Sequence, residues 1–187
     1  MKRLGILASH NGSGMDAIYE AIQNNILACE IVVVISNNSN SHAISKAASY
    51  GIKTFIVNSK TVDEPDMRIE ELLKQYECDL IFLSGYMKKL SASLTHNFTI
   101  INSHPSLLPK FGGAGMYGRF VHEAVIASGE KQSGVTIHYV DENFDEGEII
   151  YQASLEIDPN ETPKSLEERI KTLEKAAIVE GMKLCLK

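Results

Sequence analysis

The chain has 187 residues, 44% apolar and 22% charged, with a formal net charge of −6. That length suits a single hydrophobic core, and the ordinary apolar and charged fractions exclude a disordered or fibrous chain. The acidic balance argues against a general nucleic-acid or membrane surface, since such surfaces draw affinity from clustered Lys and Arg. Small-molecule partners are therefore expected.

Cys29, Cys78 and Cys185 are odd in number and far apart, with no C-x-x-C spacing, and read as reduced thiols. The start, Met1 to Ala8, has only the short apolar run Leu4 to Ala8, too brief for the core of a signal peptide. No segment approaches the roughly 18 apolar residues that span a bilayer, so a cytoplasmic location is expected.

Arg3 to Ala8 reads as a first strand. The loop Ser9 to Gly14 follows, and then a helix with Met15, Ile18, Tyr19 and Ile22 at i, i+3, i+4, i+7, for which Ser13 and Asp16 suggest a capping box. Glu30 to Ser36 is nearly continuous in apolar β-branched residues, the pattern of a parallel strand covered on both faces. A helix is expected over His42 to Ser49, stopping at Gly51, before a strand over Thr54 to Val57. Pro65 opens an amphipathic helix, Asp66 to Tyr76, and Asp79 to Ser84 is a fourth strand. After Gly85 to Leu90 and a short helix, Thr99 to Ile101 ends a fifth strand.

A glycine-rich connection, Gly112 to Gly118, leads into a helix over Arg119 to Ser128. Ser133 to Val140 alternates Val135, Ile137 and Tyr139 against Thr136 and His138, which predicts a strand with unlike faces, and Glu148 to Leu155 resembles its partner. Thr162 caps a last helix with Pro163 at its first position, running over Lys164 to Cys185 with Leu166, Ile170, Leu173, Ala177 and Met182 inward. Strands alternating with helices through the first two-thirds predict an α/β fold: a mostly parallel, twisted sheet with right-handed crossovers and helices on both faces.

Two stretches carry the chemistry. Gly12 to Ala17 fits G-x-G-x-x-A, but a dinucleotide site also wants an acidic residue about 20 positions on, and there the second strand ends in Ser36-Asn37-Asn38. A dinucleotide-dependent oxidoreductase rests on that match alone. A simpler use is for the amides of Gly12, Ser13 and Gly14, at a helix N-terminus, to grip one phosphate; a tight turn without a ligand is the plainer alternative. The second stretch, Ile100 to Pro109, puts Asn102 and His104 before Pro105 and Pro109, in what reads as a stiff loop at the carboxyl end of a strand. An amide and an imidazole there suit acyl transfer, in which a carbonyl becomes an oxyanion needing donors and a proton shuttle. Asp145, in the turn Asn143 to Gly147, is the third candidate, because a neighbouring carboxylate favours an imidazolium. Singly, each has an ordinary reading: a loop cap, a surface histidine, a turn residue before glycine. His10, His42, His96, His122 and His138 show no metal-ligand spacing, and no metal is expected.

Asn102-Ser103-His104-Pro105-Ser106-Leu107-Leu108-Pro109, the Asn11-Gly12-Ser13-Gly14 loop, Gly85 to Leu90 and Phe144-Asp145-Glu146-Gly147 together resemble the phosphoribosylglycinamide formyltransferase family. The motifs occur in that family's order, and the resemblance spans nearly the whole chain. It implies a Rossmann-like formyltransferase fold in one domain, 1–187, with a phosphate-binding half over about 1–100 and a folate and catalytic half over about 101–187. The implied reaction transfers a formyl group from 10-formyltetrahydrofolate, a cosubstrate, to the amine of phosphoribosylglycinamide in de novo purine (IMP) synthesis.

Carried over by position, the catalytic trio is Asn102, His104 and Asp145. Asn11, Gly12, Ser13 and Gly14 hold the nucleotide phosphate, and Glu174, within Lys171 to Glu174, completes that substrate's site. Met87, Lys88, Lys89 and Leu90 line the folate pocket with Asp141, Glu142, Asn143, Phe144, Asp145 and Asn102. Lys60 stands where relatives usually have a folate-binding arginine, and Lys cannot make the same bidentate bond. The stretch Lys110 to His122 is longer than in familiar members, so its contacts, including any from His122, do not transfer. A formyltransferase acting on an amino sugar is the alternative. Methionyl-tRNA formyltransferase and formyltetrahydrofolate hydrolase are expected to carry further domains. The resemblance leaves room for a homo-oligomer.

Overall fold

The computed structural model describes residues 1–187, which form two compact units: Met1–Ile101 with Leu186, and Asn102–Cys185 with Lys187. In the first unit, strands β1 (Lys2–Ala8), β2 (Cys29–Ser36), β3 (Lys53–Ile56) and β4 (Leu80–Leu83) alternate with helices α1 (Ser13–Gln23), α2 (His42–Ser49) and α3 (Pro65–Gln75); α4 (Ala92–Asn97) then precedes β5 (Ile100–His104). The strand order is β3-β2-β1-β4-β5, and β1 pairs in parallel with both β2 and β4. Leu4 to Ala8 and Ile31 to Ser36 are buried residue after residue, so both faces of β1 and β2 are covered.

The second unit contains the end of β5, α5 (Arg119–Ser128), β6 (Gln132–Tyr139), β7 (Ile149–Glu156) and α6 (Pro163–Cys185), with strand order β5-β6-β7. β6 and β7 are antiparallel, with Val135 opposite Ala153 and Ile137 opposite Tyr151. The chain is therefore α/β with a mostly parallel set of strands, as the alternation predicted. No helix is long and apolar enough to cross a membrane.

Several local expectations change. β5 continues through His104, so Asn102 and His104 lie on the strand itself and the loop begins at Pro105. The prolines restrict the chain from Pro105 onward but leave Asn102 and Ser103 free to stay extended. No capping box forms on α1: its N-cap is Gly12, in the left-handed region at φ 65°, without a side-chain cap. The Asp16 carboxylate is drawn instead to the Lys46 ammonium, 2.5 Å away. The two faces of β6 are unlike in chemistry, but both are buried: Thr136 and His138 are as enclosed as Val135 and Ile137. On α6 the Thr162 cap forms, its hydroxyl accepting the Ser165 N–H at 3.1 Å. Ile178 and Gly181 join the inward face there, while Leu173 is only half-buried.

Candidate active site

Side chains alternate along a strand, so residues two apart share a face and the residue between them points the other way. Along the end of β5 this separates two environments. Asn102 and His104 meet one set of partners: the Asn102 amide nitrogen is 3.2 Å from His138 Nε2, and His104 Nδ1 is 3.4 Å from Asp145 Oδ2. Ser103, between them, donates its hydroxyl to Glu174 Oε1 of α6 at 2.6 Å.

The trio thus converges through side chains that are remote in sequence. His104 is 3% exposed, and its Nε2 lies 2.8 Å from the Phe111 carbonyl oxygen. Both ring nitrogens face oxygen acceptors, an arrangement satisfied by a ring with two N–H donors. Asp145 occupies the β6–β7 turn at φ 59°, where its Oδ2 also accepts the Gly113 N–H at 2.9 Å. The Lys110 to Gly118 stretch is pressed onto it: a Cβ at Gly112 would fall 2.5 Å from Leu108 Cδ2 and 3.2 Å from Asp145 Cβ. Asp145 Oδ1 lies 3.6 Å from His138 Nε2, which joins the four side chains into one cluster.

Electrostatics follow from burial. Desolvation holds His138 below the usual histidine range, although the Tyr139 carbonyl and Asp145 pull the other way. His122, also buried, is lowered for the same reason, and its Nδ1 has no hydrogen-bond partner. Desolvation raises the Glu174 carboxyl, against the opposing pull of Ser103 and Lys171. Lys171 itself pairs with Glu167, at 2.6 Å, on the same helix. Asp141, Glu142, Asn143 and Phe144 form the exposed run that leads to Asp145, where Asp141 accepts the Asn143 N–H at 2.8 Å.

In the first unit, Asn11 to Gly14 connect β1 to α1. At Gly12 a side chain would be strained by φ and would meet Ala43 Cβ at 2.7 Å. Within the first turn, Met15 donates its N–H to Ser84 Oγ and Asp16 donates to the Gly12 carbonyl. The amides of Ser13 and Gly14 have no acceptor within the helix, which leaves two donors and a helix N-terminus for an anion. Lys46 adds a cation there, donating to the Asn11 carbonyl at 2.9 Å. Ser9 Oγ receives the Met87 N–H at 2.8 Å, so the Met87 to Leu90 stretch is anchored to the loop after β1; Leu90 is buried and Met87 exposed. Lys60 lies exposed on a tight turn in which its own N–H binds Asn58 Oδ1 at 2.9 Å. β2 ends at Ser36 with no carboxylate to hold a ribose.

A family model described as formyl transferase matches residues 2–182. The chain belongs to the formyl transferase family. It is 34% identical over 179 residues to the phosphoribosylglycinamide formyltransferase of Bacillus subtilis, covering 93% of this chain and 89% of that protein. It is 38% identical over 185 residues to the chloroplastic phosphoribosylglycinamide formyltransferase of Vigna unguiculata, covering 96% of this chain. There it spans only 59% of the relative's length, and it spans 60% of the corresponding Arabidopsis thaliana protein and 17% of a trifunctional purine biosynthetic protein of Bos taurus. The crystal structure of glycinamide ribonucleotide transformylase 1 from Symbiobacterium toebii superposes with a TM-score of 0.92 at 29% identity, covering 100% of this chain and 88% of that one.

Sequence reasoning overlooked three features of this member of the formyl transferase family. His138 reads in the sequence as the polar half of an alternation, and its place beside Asn102 and Asp145 depends on strand pairing. Thr136, fully buried, donates to the Ser106 carbonyl at 2.7 Å and accepts the Leu108 N–H at 3.0 Å, tying down the turn after His104. Gly113 supplies an amide to Asp145, a role for which only the glycine-rich composition gave a hint.

Proposed function

We propose that this formyltransferase transfers the formyl group of 10-formyltetrahydrofolate to the amine of phosphoribosylglycinamide, a step of de novo purine synthesis. The observation that carries the reading is the cluster of buried His104 with half-buried Asn102 and Asp145, in a chain whose relatives bear that name. The neutral amine attacks the formyl carbon, forming a C–N bond as the carbonyl oxygen takes up negative charge. His104, with its ring fixed at Nε2 by the Phe111 carbonyl, offers its Nδ1 proton to that oxygen. The 3.4 Å separation on the Asp145 side is long for a hydrogen bond and leaves this proton to be shared.

Asn102 offers the second N–H of its amide, and Asp145 balances the charge on the ring. Donors aimed at a developing oxyanion in a desolvated site contribute on the order of 10²- to 10³-fold each. Collapse breaks the bond between the formyl carbon and the folate nitrogen, which leaves with the proton the amine gives up, so atoms and charge balance.

Asn11 to Gly14 are assigned to the nucleotide phosphate, and Glu174 to the same substrate. Met87 to Leu90, Asp141 to Asp145 and Lys60 are assigned to the folate. Partners are small molecules. Three free cysteines support a reducing, cytoplasmic setting.

The test follows 10-formyltetrahydrofolate consumption with and without phosphoribosylglycinamide. Acceptor-dependent consumption that disappears in His104→Ala is expected. Consumption indifferent to the acceptor, or an active His104→Ala, overturns the reading.

A further inference from the structure

The Asn102 amide has two chemically opposite ends, and the reaction above needs its N–H end as a donor. A strand-borne carboxamide can rotate by half a turn with little steric cost, so something must set its polarity. Its nitrogen lies 3.2 Å from His138 Nε2. The other ring nitrogen, Nδ1, lies 2.9 Å from the Tyr139 carbonyl oxygen, which can only accept. Nδ1 therefore carries a proton. If that is the only ring proton, Nε2 presents a lone pair, which accepts an N–H of Asn102 and turns the amide carbonyl away.

We propose that His138 is a positioning residue that fixes the polarity of the Asn102 amide by holding the Nδ1–H tautomer against the Tyr139 carbonyl. The proposal rests on the formyl-transfer reading and deepens it. A second proton on Nε2 would face the Asn102 N–H donor with another donor, and the amide would turn its carbonyl inward and lose its orientation for the oxyanion. The groups bearing on this equilibrium are Asp145 and Asp141 of the β6–β7 turn, His104 of β5, and the backbone carbonyl of Tyr139. At 1% exposure the ring has little water to stabilise a charge, and Asp145 Oδ1, at 3.6 Å, is too far for a good hydrogen bond. The neutral ring is the form this geometry selects.

Two measurements test it. Long-range proton–nitrogen correlation spectra of the 15N-histidine-labelled full chain at neutral pH should show His138 protonated on Nδ1 alone; an Nε2–H tautomer or a doubly protonated ring overturns the proposal, whatever the enzyme's activity. In the formyl-transfer assay, His138→Leu should lower kcat by about a hundredfold with KM within about threefold, the scale expected when an oxyanion donor is misdirected. His138→Gln, whose side-chain carbonyl can reach the position of Nε2, should recover about tenfold of that loss. Equal impairment of the two variants, or an unimpaired leucine variant, overturns the positioning role. A wild-type chain with no acceptor-dependent turnover refutes the formyl-transfer reading instead, and the spectra then decide the tautomer on their own.

Discussion

Replacing Asp145 by Asn removes one negative charge and almost no volume. It is also a mild backbone change: Asp145 sits at φ 59°, in the left-handed region that Asn tolerates better than most residues. The amide oxygen of the variant can still accept the Gly113 N–H, so the loop keeps its tether. What disappears is the attraction between the carboxylate and a protonated His104. At the observed 3.4 Å this is about 5 kcal/mol for full charges at an effective dielectric near 20. Part is recovered by the Phe111 carbonyl and by water reaching a side chain that is 12% exposed. A net loss of about 2–4 kcal/mol in the transition state, roughly 30- to 900-fold in kcat, is expected. Steady-state consumption of 10-formyltetrahydrofolate measures it, with thermal unfolding as a control for the fold. A kcat within about threefold of wild type at an unchanged Tm would falsify the assignment of Asp145 as the counter-charge.

Thr136→Val should lower stability by about 2–4 kcal/mol, since it leaves the buried Ser106 carbonyl and Leu108 N–H without a partner, and denaturant titration reads that directly. Gly181→Ala drives a Cβ to 2.7 Å from Ile137 Cγ2, where α6 packs on β6; overpacking of about 1–3 kcal/mol should lower Tm by several degrees, and an unchanged Tm would mean the helix has room to shift. Glu174→Gln should raise stability in the ligand-free protein at neutral pH, because burial raises the folded-state pKa of the carboxyl and so penalises its charged form. The sign requires that this gain be full above the raised pKa and fade as pH falls through it toward the ordinary carboxylate value, where both states are protonated. Unfolding of the two proteins across that range should show the difference closing at the acid end.

The sequence carried the helices well because their limits are local. Pro65, Pro163 and Thr162 act within one turn, and His42–Ser49 and Arg119–Ser128 span the residues expected of them. Asn102 and His104 stood out as a polar pair ahead of two prolines at the end of an apolar run, although each alone reads equally as a loop cap or a surface histidine. Partners across the chain did not stand out. Asp16 reads as a capping residue until Lys46, thirty positions away, takes its carboxylate. His138 reads as one face of an alternation until the pairing of β5 with β6 sets it against Asn102. Strand pairing and side-chain charge pairing at long separation leave no periodic trace, and both of those misreadings come from them.

The alternation along β5 also limits how this segment can change over time. Inserting or deleting a single residue between Ile101 and Asn102 would interchange inside and outside for everything downstream: serine would be delivered to the imidazole's neighbours, and the amide and imidazole to the glutamate of the last helix. Length drift at this point should therefore be tolerated only in steps of two, and lineages of this family should diverge here by replacing residues rather than by gaining or losing them.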